Sequence, residues 1–287
     1  MEYDHIRSDR RGSANLDIST RISLMLEDVW VDHSPSESIF HLMNNIADAP
    51  RRITAPALLV TGNGGSGKTA IVNQIKFRVK RSDGLLFVNM AADPDLLKQK
   101  EFRSEIYKSL ELPCPPTQDR TRPNGFIPRE LSEILKLRNV WGIVIDEIHD
   151  LLLCGKVEQR INSSMLKTFL GERYGICLFA FGTLKSSSFI SATLETQRRF
   201  TEVRLKDWSE DEHFRTFLLG VEELMPLKEP SRLYDRDMVS AILTSTGGRM
   251  DKVIELIRHA GCYALKSGLE RIQAVHLSSA SANPWGY

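Results

Sequence analysis

The sequence predicts a doubly wound parallel α/β sheet followed by a small all-helical lid domain. Continuous apolar runs alternate with segments of helical spacing over residues 57–183, as in parallel strands joined by crossover helices. The run at residues 57–61 leads into a glycine-rich loop, and the run at residues 143–145 leads into two acids. From Asp207 onward only helical spacing remains. Because ligands of such sheets bind at the carboxyl ends of the strands, both motifs are expected at the ligand-binding edge.

A phosphate-binding loop is predicted between the strand at residues 57–61 and the helical pattern that starts at Ala70. Its residues are Gly62, Asn63, Gly64, Gly65, Ser66, Gly67, Lys68 and Thr69. The glycines let backbone N–H groups surround an anion, and the helix N-terminus adds its positive dipole end. Lys68 would reach the β- and γ-phosphates of ATP, and Thr69 would offer its hydroxyl to Mg²⁺. The alternative, a glycine turn with a surface lysine, does not account for the flanking strand and helix.

Two adjacent acids, Asp146 and Glu147, follow the apolar strand at residues 143–145. We expect Asp146 to hold Mg²⁺ directly or through water, and Glu147 to orient or deprotonate the water that attacks the γ-phosphate. Without a phosphate loop the pair would be interpreted as a helix N-cap with a solvated neighbour. His149 stays open between two roles: orienting Glu147 or sensing nucleotide, and being an ordinary residue at a helix start.

A further apolar strand at residues 176–182 is followed by Thr183, which is therefore expected beside the γ-phosphate site. The resemblance to P-loop proteins with a strand inserted between the phosphate loop and the acids implies that Thr183 senses the γ-phosphate and the attacking water. Another strand is predicted at residues 85–90. Helices are predicted at residues 22–30, 38–47, 94–110, 128–137, 157–170, 210–225, 235–246 and 249–267, with a short one near residue 272.

Composition sets the limits around this core. The chain has 287 residues, of which 41% are hydrophobic, enough for one nucleotide-binding domain and a smaller appendage. With a net charge of +1, the protein as a whole is not expected to attract nucleic acid electrostatically, so any contact with nucleic acid must come from a local cluster of cations. The four cysteines form no CxxC pair, which disfavours zinc and disulfides and favours a reducing cytoplasm. The sequence shows no bilayer-spanning stretch and no signal peptide, so a soluble cytoplasmic protein without a membrane partner is expected.

We predict four segments along the chain. Residues 1–21 would be a flexible basic N-terminal arm, and residues 22–206 the nucleotide-binding domain with N-terminal helices. Residues 207–277 would form the helical lid, and residues 278–287 a C-terminal tail.

The order of motifs resembles the AAA+ ATPases and, within them, the transposition regulators of the TniB/TnsC type. The resemblance covers about residues 22–276. It rests on residues 62–69, 143–152, 181–183, 197–200, 205–208, 225–227 and 230–233. The two phosphate-site motifs are generic, whereas the Arg-Phe step at residues 199–200 and the later stretches are similar to TniB in particular.

This resemblance implies slow, regulatory ATP hydrolysis and assembly of a homo-oligomeric ring or spiral on double-stranded DNA without sequence preference. It also implies recruitment of a transposase, with a TniQ-type target-selection protein as a further partner. In such rings a neighbouring subunit supplies an arginine to the γ-phosphate. Arg199 is the first candidate and Arg198 the second, the alternative being a solvated cationic pair. Arg249 would sense the phosphates from the same subunit, with Lys252 as its competitor.

DNA contact is assigned to a group of cations that precede the acid-bearing strand. They are Lys98, Lys100, Arg103, Arg120 and Arg122. Phosphate contacts need only clustered positive charge. The alternative is an amphipathic helix whose charged face is solvated. The alternative function is a P-loop adaptor of another kind, either a helicase-loader-like DNA protein or an oligomerising switch that does not need DNA.

Overall fold

The computed structural model describes residues 3–50, 53–92, 100–113, 129–152, 154–193 and 200–287. The chain divides into two compact units. The sheet unit comprises Ser38–Gly64 and Lys68–Leu205. The helical unit comprises Met1–Glu37, Gly65–Gly67 and Lys206–Tyr287.

The sheet unit is built on a parallel sheet. The described strands are β1 (Ala57–Gly62), β2 (Leu85–Asn89), β3 (Gly142–Asp146), β4 (Cys177–Gly182) and β5 (Phe200–Leu205). Their order is β2-β3-β4-β1-β5, and every pairing is parallel. Strands β1, β3 and β4 are buried along their whole length because they carry continuous apolar runs. The predicted parallel α/β sheet is therefore confirmed.

Strand β5 was not predicted from the sequence. It pairs with β1, and among its residues only Leu205 is fully buried, whereas Thr201, Glu202 and Arg204 are exposed. Among the described strands, β5 has a neighbour on one side only, and a strand in that position does not need the continuous apolar run that identifies central strands. Its mixture of β-branched, aromatic and charged residues is the weaker signal of an edge strand.

The described α-helices are found in both units. They are α1 (Ile18–Leu26), α2 (Ser34–Asp48), α3 (Lys68–Arg78), α4 (Phe102–Ser109), α5 (Arg129–Leu137), α6 (Ile148–Leu152), α7 (Lys156–Leu170), α8 (Leu184–Thr193), α9 (Glu212–Glu222), α10 (Arg236–Thr246), α11 (Met250–Lys266) and α12 (Ala274–Ala282). Part of the helix predicted at residues 94–110 lies outside the described residues. The last predicted helix is longer than expected and begins at Ala274. Among the described residues, no helix is long and apolar enough to cross a membrane.

The helical unit has its own hydrophobic core, to which α9, α10, α11 and α12 all contribute buried residues. Met25 of α1 belongs to the same core, and its sulfur lies against Gly261 of α11. Helix α1 thus belongs to the helical unit, although the sequence assigns residues 22–30 to the nucleotide-binding domain. The apolar face of α1 is short, and its spacing does not reveal which core it joins.

The N-terminal segment, for which the sequence predicts a loose arm, packs within the helical unit. Ile6 is 1% exposed and Ala14 is fully buried. The backbone N–H of Arg7 donates to the carbonyl oxygen of Glu223 at 2.9 Å. At the end of this segment, the buried Arg21 of α1 binds the carboxylate of Glu270. Two apolar anchors in a polar stretch are too few to produce a periodic pattern, so the sequence did not show this packing.

Glu222 stabilises the chain around residues 231–233. Its buried carboxylate accepts hydrogen bonds from the backbone N–H groups of Ser231, Arg232 and Leu233 at 2.7, 2.9 and 2.8 Å. Arg232 has a φ of +53°, so this turn presents its N–H groups to one side. Part of the TniB-like stretch at residues 230–233 therefore has a structural role.

Candidate nucleotide site

The predicted phosphate loop connects β1 to α3. Gly65 and Gly67 have φ angles of +76° and +84°, a conformation that glycine adopts at little cost. A side chain at Gly65 would also meet the carboxylate of Asp251. Gly64 has an ordinary φ and open space around the position of a Cβ atom. Glycine is therefore favoured at residues 65 and 67 by the positive φ angles of the loop. Helix α3 begins directly after Gly67, at Lys68.

Lys68 opens α3 and is only 6% exposed. Its Nζ donates to the carbonyl oxygens of Gly62 at 3.1 Å and Asn63 at 2.9 Å, so the loop curls around the ammonium group. Burial lowers the pKa of Lys68, and the nearby charges of Glu147 and Asp146 oppose that shift. A desolvated cation at a helix N-terminus suits the phosphates of a nucleotide.

Thr69 and Asp146 meet at the carboxyl edge of the sheet. The Thr69 hydroxyl donates to Asp146 Oδ2 at 3.0 Å, and the backbone N–H of Glu147 donates to Asp146 Oδ1 at 3.0 Å. Asp146 ends β3, whose partner strand β4 lies next to β1. A hydroxyl and a carboxylate at this distance are the oxygen donors that Mg²⁺ prefers, so these two residues fit the predicted metal.

Glu147 occupies the sharp turn between β3 and α6. Its φ of +55° is unusual for a residue with a side chain, and such conformations cost on the order of 1 kcal/mol. Glu147 Oε2 lies 2.9 Å from Nδ1 of His149. The sequence showed that the two acids are adjacent, but not that they differ in backbone conformation and partners.

Thr183 follows β4 directly. The preceding residue, Gly182, pairs with Thr61 of β1, immediately before the phosphate loop. Thr183 is half-buried and caps the first turn of α8, where its carbonyl oxygen accepts from the backbone N–H of Ser186. The topology thus brings Thr183 to the edge that carries the loop and the acids.

Arg249 and Asp251 form an ion pair in the helical unit, at the start of α11. Arg249 Nη2 lies 2.6 Å from Asp251 Oδ2, and the backbone N–H of Asp251 donates to the carbonyl oxygen of Gly65 at 3.0 Å. Burial raises the pKa of Asp251, but the contacts with Arg249 and Lys252 outweigh it and hold the pKa below its ordinary value. Asp251 was not predicted; it links Arg249 to the loop.

The remaining predicted positions are only partly described. Lys98, Arg120, Arg122, Arg198 and Arg199 lie outside the described residues. Lys100 donates from Nζ to the carbonyl oxygen of Asn89 at 3.2 Å, at the end of β2. Arg103 is half-buried in the first turn of α4. The candidate DNA-binding group and the candidate arginine finger stay predictions.

The fold and this site together define the class of the protein. Strand β4 separates β1 from β3, a glycine loop opens α3, and acids follow β3. This is the arrangement of a P-loop NTPase of the AAA+ class. The chain belongs to the TniB family, because the family model described as "Bacterial TniB protein" matches residues 21–210.

Several solved structures have a similar fold. The Aeropyrum pernix ORC2 protein in its ADP form is 16% identical with a TM-score of 0.59, over 91% of this chain and 72% of that chain. Drosophila ORC bound to DNA is 12% identical with a TM-score of 0.56, over 98% and 68%. The Aeropyrum pernix ORC1 protein in complex with DNA is 16% identical with a TM-score of 0.53, over 92% and 69%. At these identities the likeness shows the fold alone. Among curated proteins, none matches the chain.

Proposed function

We propose that this protein is an ATP-dependent regulator of DNA transposition that hydrolyses ATP slowly. The observation that carries the ATPase part is the cluster of Lys68, Thr69, Asp146 and Glu147 at one sheet edge. Membership of the TniB family supports the transposition part. Work on chromosomal DNA would place the protein in the bacterial cytosol.

Each site residue has a separate task in hydrolysis. Lys68 neutralises phosphate charge, while Thr69 and Asp146 hold Mg²⁺. ATP, when bound with Mg²⁺, supplies the γ-phosphorus that water attacks. The Glu147 carboxylate accepts a proton from that water, and Thr183 donates a hydrogen bond at the same edge. Removing Glu147 should therefore slow hydrolysis without preventing binding.

Oligomerisation would complete the site. We assign the arginine from the neighbouring subunit to Arg199, with Arg198 as second choice, and the sensor within the subunit to Arg249. The ion pair of Arg249 with Asp251, whose backbone is bonded to Gly65, supports the sensor assignment. The site would thereby couple the presence of a γ-phosphate to the strength of subunit contacts.

DNA binding would use Lys98, Lys100, Arg103, Arg120 and Arg122 as phosphate contacts. Lys100 supports this assignment because its ammonium lies at the end of β2, on the carboxyl edge. Solved structures of similar fold include ORC proteins described as bound to DNA. A transposase and a TniQ-type protein would then be recruited to the DNA-bound oligomer.

The deciding experiment is sedimentation of the protein with a non-hydrolysable ATP analogue, with and without double-stranded DNA. Large assemblies that need both ligands support the proposal. Lys68→Ala should abolish nucleotide binding and assembly together, whereas Glu147→Gln should assemble normally and hydrolyse ATP roughly 100-fold or more slowly. Assembly that is indifferent to DNA would favour an adaptor or switch of another kind.

The assignment of Arg199 is tested by mixing variants. Arg199→Ala protein should be inactive alone but regain part of its ATPase activity on mixing with Lys68→Ala protein, which cannot bind ATP yet carries Arg199. An absence of recovery would show that Arg199 acts within its own subunit or has no role at the phosphate.

A further inference from the structure

The carboxylate proposed as catalytic base has a neighbour with no assigned task. Glu147 Oε2 and His149 Nδ1 are 2.9 Å apart, and the two side chains are 28% and 22% exposed. These two atoms are themselves shielded from solvent, and neither has a hydrogen-bond partner elsewhere in the described ranges. At this distance the pair is within hydrogen-bond reach, although the angle is not yet that of a hydrogen bond. Catalytic contacts often become aligned only when substrate binds.

The other side of the imidazole ring faces Asp150. His149 Nε2 lies 3.6 Å from Asp150 Oδ1, and Asp150 Oδ2 accepts a hydrogen bond from the backbone N–H of Ala92 at 3.1 Å. The backbone N–H of Asp150 donates to the carbonyl oxygen of Glu147 at 3.0 Å. Asp150 is thus fixed by the backbone, and the ring lies between a fixed carboxylate and the candidate base.

The position of Glu147 gives this contact its importance. With a φ of +55°, Glu147 precedes α6 in a turn, so no helical neighbours set its side-chain direction. A carboxylate can act on one water only if its free oxygen has a defined place. A carboxylate oxygen of the ionised acid can only accept, so Nδ1 must carry the proton of the contact.

We propose that His149 is a positioning residue for Glu147. Its Nδ1–H holds Oε2, which leaves Oε1 directed at the attacking water. The proposal rests on the proposed role of Glu147 as the base. His149 does not touch the reacting atoms, and it transfers no proton itself.

The test compares two substitutions of nearly equal size, His149→Asn and His149→Leu, in the full chain. The asparagine amide nitrogen can donate from the place of Nδ1, whereas leucine cannot donate. His149→Leu should lower kcat for ATP roughly 10- to 100-fold, as expected when a catalytic group is misplaced, with KM within about twofold of wild type. His149→Asn should keep most of the activity. Wild-type turnover of the leucine variant, or equal loss in both variants, would overturn the proposal.

A second background separates this inference from the proposed function. In Glu147→Gln protein, adding His149→Leu should leave the single-turnover rate unchanged, because the group it positions is gone. A further loss of the same size would show that His149 acts independently of Glu147, and the proposal would fail. If Glu147→Gln alone hydrolyses ATP at the wild-type rate, the role of Glu147 itself is wrong.

As a control for correct folding, the melting temperature of every variant is measured without nucleotide. If His149→Leu melts well below wild type, His149→Gln replaces it, because a glutamine amide reaches the place of Nε2 and not that of Nδ1. The glutamine variant should then be slow and the asparagine variant active. Equal activity of the asparagine and glutamine variants would contradict a role that depends on Nδ1.

Discussion

Asp146 of the sheet unit and Glu222 of the helical unit are equally buried, each with 4% of its surface exposed. Asp146 accepts from one hydroxyl, that of Thr69, and from the backbone N–H of the next residue. Glu222 accepts from the N–H groups of three consecutive residues in a turn. The two carboxylates are equally buried but accept hydrogen bonds from different kinds of donor.

The partners decide what each acid can do. Backbone donors cannot leave Glu222 without unfolding the turn that carries them, so its lone pairs are committed to structure. The hydroxyl of Thr69 can rotate and offer a lone pair to a cation that Asp146 binds as well. Burial of a carboxylate therefore does not by itself indicate a ligand site; the partners of its oxygens decide whether it can also bind a cation.

The largest expected effect is on activity and comes from Asp146→Asn. This change removes the charge that would hold Mg²⁺, so ATP hydrolysis should fall about 100-fold or more. The melting temperature without nucleotide should stay the same or rise, because a buried negative charge beside Glu147 disappears. Turnover assays and thermal unfolding measure both quantities. A melting temperature well below that of wild type would make Asp146 a structural acid and remove the contrast with Glu222.

The next effect is on stability and comes from Glu222→Ala. Three backbone N–H groups would lose their acceptor, at about 1 kcal/mol each, for a total of about 3 kcal/mol. The melting temperature should fall by roughly 6–12 °C while ATP affinity is retained. The control is Glu223→Ala at the neighbouring, half-exposed position, which should change stability little. Equal melting of the two variants would show that the turn does not need Glu222.

The smallest effect is a difference in acid sensitivity between the two units. In the helical unit, burial lowers the pKa of His33, and contacts with Arg21 hold the pKa of Glu270 below its ordinary value despite the opposing effect of burial. A lowered pKa means that the unfolded chain binds protons first, so acid destabilises the fold. In the sheet unit, burial and the charge of Glu101 raise the pKa of Glu158. The effect of acid on stability therefore has the opposite sign at this residue, because the folded state binds the proton first.

We therefore expect the helical unit to lose stability as the pH falls through about 6.5, the ordinary value for histidine, and further as carboxylates protonate. Trp141→Phe leaves Trp30, Trp208 and Trp285, all in the helical unit, as fluorescent probes of its unfolding. Melting of this variant should occur at a lower temperature at pH 5.5 than at pH 7.5, and His33→Phe should reduce the difference. A melting temperature that rises with acid would reverse the assignment.

The sheet and the family were predictable because their signals are local. Continuous apolar runs identified β1 to β4, and the loop and acid motifs indicated a nucleotide site. The Arg-Phe step and the later stretches gave the resemblance to TniB in particular, which the family match confirms. Strand β5 was not predicted because the exposed Glu202 and Arg204 interrupt its apolar residues, as is possible in a strand that pairs with β1 on one side among the described strands. The packing of the N-terminal segment was not predicted because Ile6 and Ala14 are isolated buried residues in a polar stretch. The neighbouring Arg7 bonds through its backbone N–H to Glu223, which is more than 200 residues away in the chain.

The sequence by itself determined the class of site, a nucleotide-binding site. The glycines, the lysine, the threonine and the two acids lie in two short motifs, and the local conformation of each motif depends mainly on its own residues. Only the tertiary structure decided which polar groups meet: Thr69 with Asp146, His149 with Glu147, and Glu222 with the turn at residues 231–233. The physical reason is that hydrogen bonds between distant segments depend on strand order and core packing, which no short stretch of sequence encodes.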